Sequence, residues 1–252
     1  MPKIRFSSDA QAYRITLDDP PLHILDLAML DELRDALAKV GDDRHALIID
    51  ATGTKAFSAG ASVQDHAVDR VAGMLERFHE CFRTLARLDV VTVALVRGVA
   101  LGGGCELALA CDFVLAADSA RFGYPEIELG VFPPVGAWQM SRQVAPRRGL
   151  ELLLGGQTID ATLALSLGMV NAVFTDSDFE SAAARWMDRL FGKSASSLRI
   201  AKKACRIAAA GEFEARLAEV ERFYLEELVR THDANEGLAA FLEKRKPRWE
   251  NR

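Results

Sequence analysis

The sequence predicts an α/β fold followed by a helical C-terminal part. Three observations carry that expectation. Short, β-branched apolar runs alternate with helically spaced segments through the first half. Beyond residue 135 nearly every segment is amphipathic at the helical period. Half of the 252 residues are hydrophobic, which suits a sizeable core in one large domain or one domain with an appendage.

The elements follow in order. Residues 4–6 and 13–17 alternate like a pair of short strands. A helix is predicted over 26–40, where apolar residues recur at helical spacing behind Asp26 and stop at Gly41. The runs "ALIIDA" (46–51) and "VVTVALV" (90–96) read as buried strands, being short, apolar and rich in branched side chains. A helix over 68–88 lies between them, and strand–helix–strand alternation predicts parallel pairing. Further on, "VNAVF" (170–174) interrupts helices predicted over 179–191, 196–210, 213–230 and 235–244. There is no repeat of fixed period and no linker rich in Pro, Gly or Ser.

Composition narrows the function. The net charge of −5 gives no global basic field for nucleic acid, so a polyanionic ligand needs a local cationic patch. The first residues lack the apolar run of a signal peptide, and 90–96 is too short to span a bilayer. The four cysteines form no Cys-x-x-Cys pair and read as reduced thiols; the cytoplasm is the expected address, with no membrane partner. The five histidines lack metal-ligand spacing, so no metal is expected. Serine hydrolysis has no support, because Gly-x-Ser-x-Gly is absent.

The chemistry-bearing stretch is "GVALGGGCELALACD" (98–112). Glycines before a helix bare backbone N–H groups at the positive end of its dipole, where an anion or a developing oxyanion binds. Glu106 lies one turn further on, close enough to act on the same ligand. A glycine-rich turn for close helix–strand packing, with Glu106 in an ion pair, would use the same residues. Neither Gly-x-Gly-x-x-Gly nor a Walker loop is present. A second backbone-exposing loop, "KAFSAGAS" (55–62), follows the strand at 46–51, and Ser62 with Asp65 reads as a capping box opening the next helix. A third segment, "RFGYPEIELGVFPPVGAW" (121–138), supplies Glu126.

Taken in order, these three segments and the C-terminal "EGLAAFLEKRKPRW" resemble the crotonase (enoyl-CoA hydratase/isomerase) superfamily over nearly the whole chain. The resemblance implies a ββα spiral core over residues 1–190 and a helical region over 191–252 for oligomerisation and for covering coenzyme A. It implies that the amides of Ala61 and Gly103 form an oxyanion hole for an acyl-CoA thioester. Glu106 would activate water and Glu126 would protonate carbon. Both acid positions being glutamate points to hydration rather than isomerisation or hydrolysis; a non-catalytic acyl-CoA-binding protein is the reading of another class.

By the same resemblance, Ala59, Ser62 and Val63 contact coenzyme A and Lys244 approaches its nucleotide end. Coenzyme A is part of the substrate, so no separate cofactor is expected. A homotrimer or a dimer of trimers is expected. The chain departs from ordinary fatty-acyl hydratases at "LGVFPPVGAWQM", where Phe132, Pro133, Pro134 and Trp138 would make a bulkier acyl wall. Together with "GASVQDH", "ASSLRIA" and "WENR", that stretch is similar to the branch acting on cyclohexa-1,5-diene-1-carbonyl-CoA in anaerobic benzoyl-CoA degradation.

Overall fold

Strands β1 (Ile4–Ser8) and β2 (Ala12–Leu17) pair antiparallel, with Ile4 opposite Leu17. These and all further details come from a computed structural model describing residues 2–66, 70–209, 226–227, 230–233, 236, 240 and 243–252. Helix α1 (Leu27–Leu37) follows, and the Asp26 carboxylate accepts the Met29 amide at 2.9 Å to cap it. The other Asp26 oxygen takes the Lys3 ammonium at 2.5 Å, so one side chain starts the helix and ties it to the first strand. Asp26→Ala is expected to lower stability by about 1 kcal/mol, read as a lower urea midpoint at unchanged slope.

A three-part unit then repeats. A long strand, a short strand and a helix succeed one another as β3 (Ala46–Ala51), β4 (Ala56–Ser58) and α2 (Val71–Arg87). The second unit is β5 (Val91–Val96), β6 (Val99–Leu101) and α3 (Gly103–Leu109). The third is β7 (Phe113–Ala117), β8 (Arg121–Gly123), a 3-10 turn (Pro125–Leu129) and α4 (Pro134–Gln143). Helix α5 (Pro146–Gly155), β9 (Thr158–Asp160), α6 (Ala161–Ser166), β10 (Ala172–Phe174), α7 (Phe179–Phe191) and α8 (Ala195–Ala208) complete the described elements.

The long strands form a six-stranded sheet in the order β1-β2-β3-β5-β7-β10, parallel from β2 onward. The short strands form a second sheet, β4-β6-β8-β9, in which only the last pair is antiparallel. This is the ββα spiral that the resemblance implies. Every residue of β5 is buried. Ala94 and Val96 point into the main core with Phe57 and Leu107, whereas Val93 and Leu95 pack on the other face against Phe179 and Met187 of α7. A strand covered on both sides therefore reads as a continuous apolar run.

The structure corrects two expectations. The capping box at Ser62 opens only a 3-10 turn (Val63–His66), in which Asp65 N–H donates to the Ser62 carbonyl. Helix α2 starts later, at Val71, behind Arg70 and without a side-chain cap. The short strands were also missed as strands, since three residues cannot display a period. The helices expected over 213–230 and 235–244 fall largely outside the described residues.

Candidate active site

The loop after β4 is organised by a buried serine. Ser58 Oγ donates to the His23 carbonyl at 2.7 Å and accepts the Gly60 amide at 3.1 Å. His23 is buried: Asp19 N–H donates to its Nδ1, and its Nε2 lies 2.9 Å from the Thr52 carbonyl. Leu25 N–H then donates to the Gly60 carbonyl and Ser62 N–H to the Leu25 carbonyl. These two bonds flank Ala61, which pairs with Leu25 as a parallel bridge. In such a bridge the central residue turns its own N–H away from the partner. Among the described residues the Ala61 amide has no protein acceptor.

The second loop meets the first at α3. Gly102 has φ +51° and Gly60 has φ +102°, a region that side-chain-bearing residues rarely adopt. Gly103 opens α3, so its amide belongs to the first turn and has no intrahelical acceptor. A β-carbon placed on Gly103 would lie 3.2 Å from the Ala61 nitrogen, and one on Gly60 would lie 3.3 Å from the Gly103 nitrogen. Two junctions thus bring to one small space two amides that have no protein acceptor among the described residues.

Both acids face that space. Glu106 is only 2% exposed, and its Oε1 accepts the Gly136 amide of α4 at 2.6 Å. Burial pushes its pKa up to about 8; the Glu126 charge adds to the rise, while the Gly136 and Val135 amides oppose it. Glu126 comes from the 3-10 turn after β8, and a β-carbon at Gly102 would collide with its Oε1. The adjacent Cys105 thiol is pushed up to about 12 by burial, which rules it out as a thiolate nucleophile at neutral pH. Ala61, Gly103, Glu106 and Glu126 line one cavity of about 410 Å³.

Ala59, Val63 and Phe132 also line this cavity. Phe132 is 69% exposed and stands at its mouth. The Ala59 amide is already used by the Leu22 carbonyl at 2.9 Å, which leaves the Ala59 carbonyl for a ligand. Three expected residues stand elsewhere. Ser62 is not in the lining, and its amide holds the Leu25 carbonyl. Trp138 borders a separate hollow of about 820 Å³ with His79 and Phe82. The reason is helical phase: α4 buries Gly136, Gln139 and Met140, and residue 138 lies on its opposite side. Lys244 is exposed, in a turn outside the cavity lining.

Sequence reasoning missed Met74 and Phe78, which roof the cavity from α2, and Gly136 and Gln139, which contact Glu106. The apolar stripe of α2 at 74, 78, 81 and 85 carried the signal for the first two. Among the described residues no cluster of His, Cys, Asp or Glu is arranged to hold a metal ion, and no helix is long and apolar enough to cross a membrane.

Two main-chain amides beside two carboxyls, on a ββα spiral, are an arrangement that can support acid–base chemistry next to a carbonyl whose oxygen gathers charge. The chain belongs to the enoyl-CoA hydratase/isomerase family, whose model matches residues 8–252. It is 39% identical over 253 residues to a cyclohexa-1,5-dienecarbonyl-CoA hydratase of Thauera aromatica, covering 99% of this chain and 97% of the relative. It is 34% identical to a crotonyl-CoA hydratase of Syntrophomonas wolfei, covering 89% and 88%. The crystal structure of an enoyl-CoA hydratase from Bacillus anthracis superposes with TM-score 0.93 at 29% identity, covering 99% of this chain and all of that one. The chain is an enzyme, a hydro-lyase of the enoyl-CoA hydratase type acting on acyl-CoA.

Proposed function

We propose that the chain hydrates a cyclic dienoyl thioester, converting cyclohexa-1,5-diene-1-carbonyl-CoA to 6-hydroxycyclohex-1-ene-1-carbonyl-CoA. The observation that carries the hydratase chemistry is the convergence of Glu106, Glu126 and the Ala61 and Gly103 amides on one cavity. The cyclic acyl group rests on the full-length likeness to the Thauera aromatica enzyme and on the proline-stiffened loop bearing Phe132.

The carbonyl oxygen binds between the two amides. Water adds through its oxygen to C2, the β-carbon, while one carboxylate takes the water's proton. The electron pair of the C1–C2 bond moves onto the carbonyl oxygen, giving a dienolate that also spans C6 and C5. Each amide then stabilises charge that the ground state lacks, an effect typically worth about 2.7–4 kcal/mol per donor. A proton returns at C5, and the remaining double bond lies between C1 and C6. Renumbering the ring gives the 6-hydroxy product, and the net change is addition of one water.

Attack and protonation thus occur at opposite ring carbons, and two carboxyls are needed because one cannot reach both. Glu106 serves, in its ionised form, as base toward water, a form that gains population as pH rises toward 8, and Glu126 as acid toward carbon; the proton they share makes them titrate as a pair. Residues 191–252 are assigned to oligomerisation and to covering coenzyme A.

The test compares crotonyl-CoA with the cyclic dienoyl thioester by following thioester absorbance. A higher kcat/KM for the cyclic substrate is expected. Preference for crotonyl-CoA removes the cyclic assignment while leaving the hydratase. Glu126→Gln should lower kcat by about 10²–10⁴-fold on either substrate.

A further inference from the structure

The bond between the Gly136 amide and the Glu106 carboxyl joins two helices that are distant in sequence, and something must hold them in register. The Gln139 side chain lies one turn beyond Gly136 on the same face of α4 and is 1% exposed. Its Nε2–H donates to the main-chain carbonyl of Glu106 itself at 2.8 Å. That carbonyl also accepts the Ala110 amide inside α3, so Gln139 adds a second, interhelical donor to the same oxygen. The hydroxyl of the buried Tyr124 donates to the Gln139 Oε1 at 3.4 Å. One glutamine thus grips the backbone of residue 106 from the helix whose amide grips its carboxyl.

We propose that Gln139 is a positioning residue for the hydration: it locks α4 to the backbone of Glu106 so that the Gly136 amide stays on the Glu106 carboxyl. The claim deepens the reading of Glu106 as the acid–base residue and rests on it. A second glutamine on α4 provides an internal comparison. Gln143 donates Nε2–H to the Leu109 carbonyl at 3.0 Å and fastens the same two helices one turn further along, away from the carboxyl. If Gln139 acted only as a fastener, losing either glutamine would have the same consequences.

The titratable groups facing Glu106 are Glu126 and Tyr124 from the segment after β8 and Cys105 on its own helix. Tyr124 loses its bond to the Gln139 Oε1 in these variants, but burial keeps that phenol neutral, so no charge facing Glu106 changes with it. The Gly136 amide favours the ionised Glu106, so loosening it moves the titration upward.

The experiment uses Gln139→Met and Gln143→Met in the full chain. Gln139→Met should lower kcat about 10–100-fold with little change in KM, as expected for a misplaced catalytic group. It should also move the Glu106 limb of the kcat pH profile upward. Gln143→Met should lose stability while keeping the wild-type profile. An unmoved profile in Gln139→Met, with stability lost as in Gln143→Met, overturns the proposal. Should Gln139→Met fail to fold, Gln139→Asn, one methylene too short to keep the bond, carries the same comparison.

A readout independent of turnover is the Gly136 amide proton in nitrogen-labelled protein. It should lie far downfield in wild type and move upfield when Gln139 is replaced. If wild type hydrates no enoyl thioester, the functional reading fails by itself, and this amide signal still decides whether Gln139 positions the carboxyl.

Discussion

Glu106→Gln loses between about 10² and 10⁴ of kcat while still binding acyl-CoA, because the amide keeps the shape and the Gly136 bond but cannot exchange a proton. Paired with Glu126→Gln, the double variant should fall little further than the worse single one, since groups acting as a unit are not additive. Wild-type turnover in Glu106→Gln would end the acid–base assignment.

The same substitution has a second consequence, in stability and with a definite sign. In the fold, Glu106 keeps its proton up to about pH 8, whereas the unfolded chain releases it near 4.5. Below about pH 4.5 both states carry the proton and the group contributes no pH dependence. As pH rises above that, the unfolded state ionises first, so stability falls, by roughly 1.4 kcal/mol for each unit of difference traversed. The fall levels off once the folded carboxyl ionises near pH 8. Glutamine has no proton to lose. Glu106→Gln should therefore be the more stable protein at pH 8, by a few kcal/mol, with the gap closing toward pH 5. Thermal unfolding across that window checks it, and equal melting temperatures at every pH would show that the carboxyl is not buried in its neutral form.

That an active-site acid destabilises the fold that holds it explains why the site was legible in sequence. Glu106 inside an apolar helix behind three glycines breaks local rules twice, and such conflicts mark function. The parallel body was equally readable, since β3 and β5 announce themselves by unbroken apolar runs. The second sheet is made of three-residue strands, too short for any pattern, and its existence follows from the sites it joins. The departure of residues 129–140 from ordinary hydratases puts Trp138 in the acyl wall with Phe132, but Trp138 stands on α4, whose phase turns it away from the cavity. Gln139 was overlooked because a glutamine in an amphipathic helix looks like surface; only the arrival of α3 against it turns it into a buried donor.

Two of the three consecutive glycines, Gly103 and Gly104, should separate stability from activity when replaced one at a time. A β-carbon at Gly104 would collide with the Ser58 carbonyl and come within 2.7 Å of the Ser58 β-carbon. Ser58 cannot retreat, because its hydroxyl holds both the His23 carbonyl and the Gly60 amide. Gly104→Ala must therefore push α3 away from β4, at a cost of about 1–3 kcal/mol or more, and the two amides separate with it. At Gly103 the added carbon meets the Phe78 ring at 3.0 Å and the Ala61 nitrogen at 3.2 Å, and the ring edge is able to shift where a backbone is not. Gly103→Ala should fold with a smaller loss in urea midpoint, yet it places a methyl group beside the Ala61 donor, in the space left for the carbonyl oxygen. Its kcat should drop at least as far as removal of one oxyanion donor, about 10²–10³-fold. If Gly103→Ala turned over normally, the oxygen would have to bind somewhere other than between these two amides.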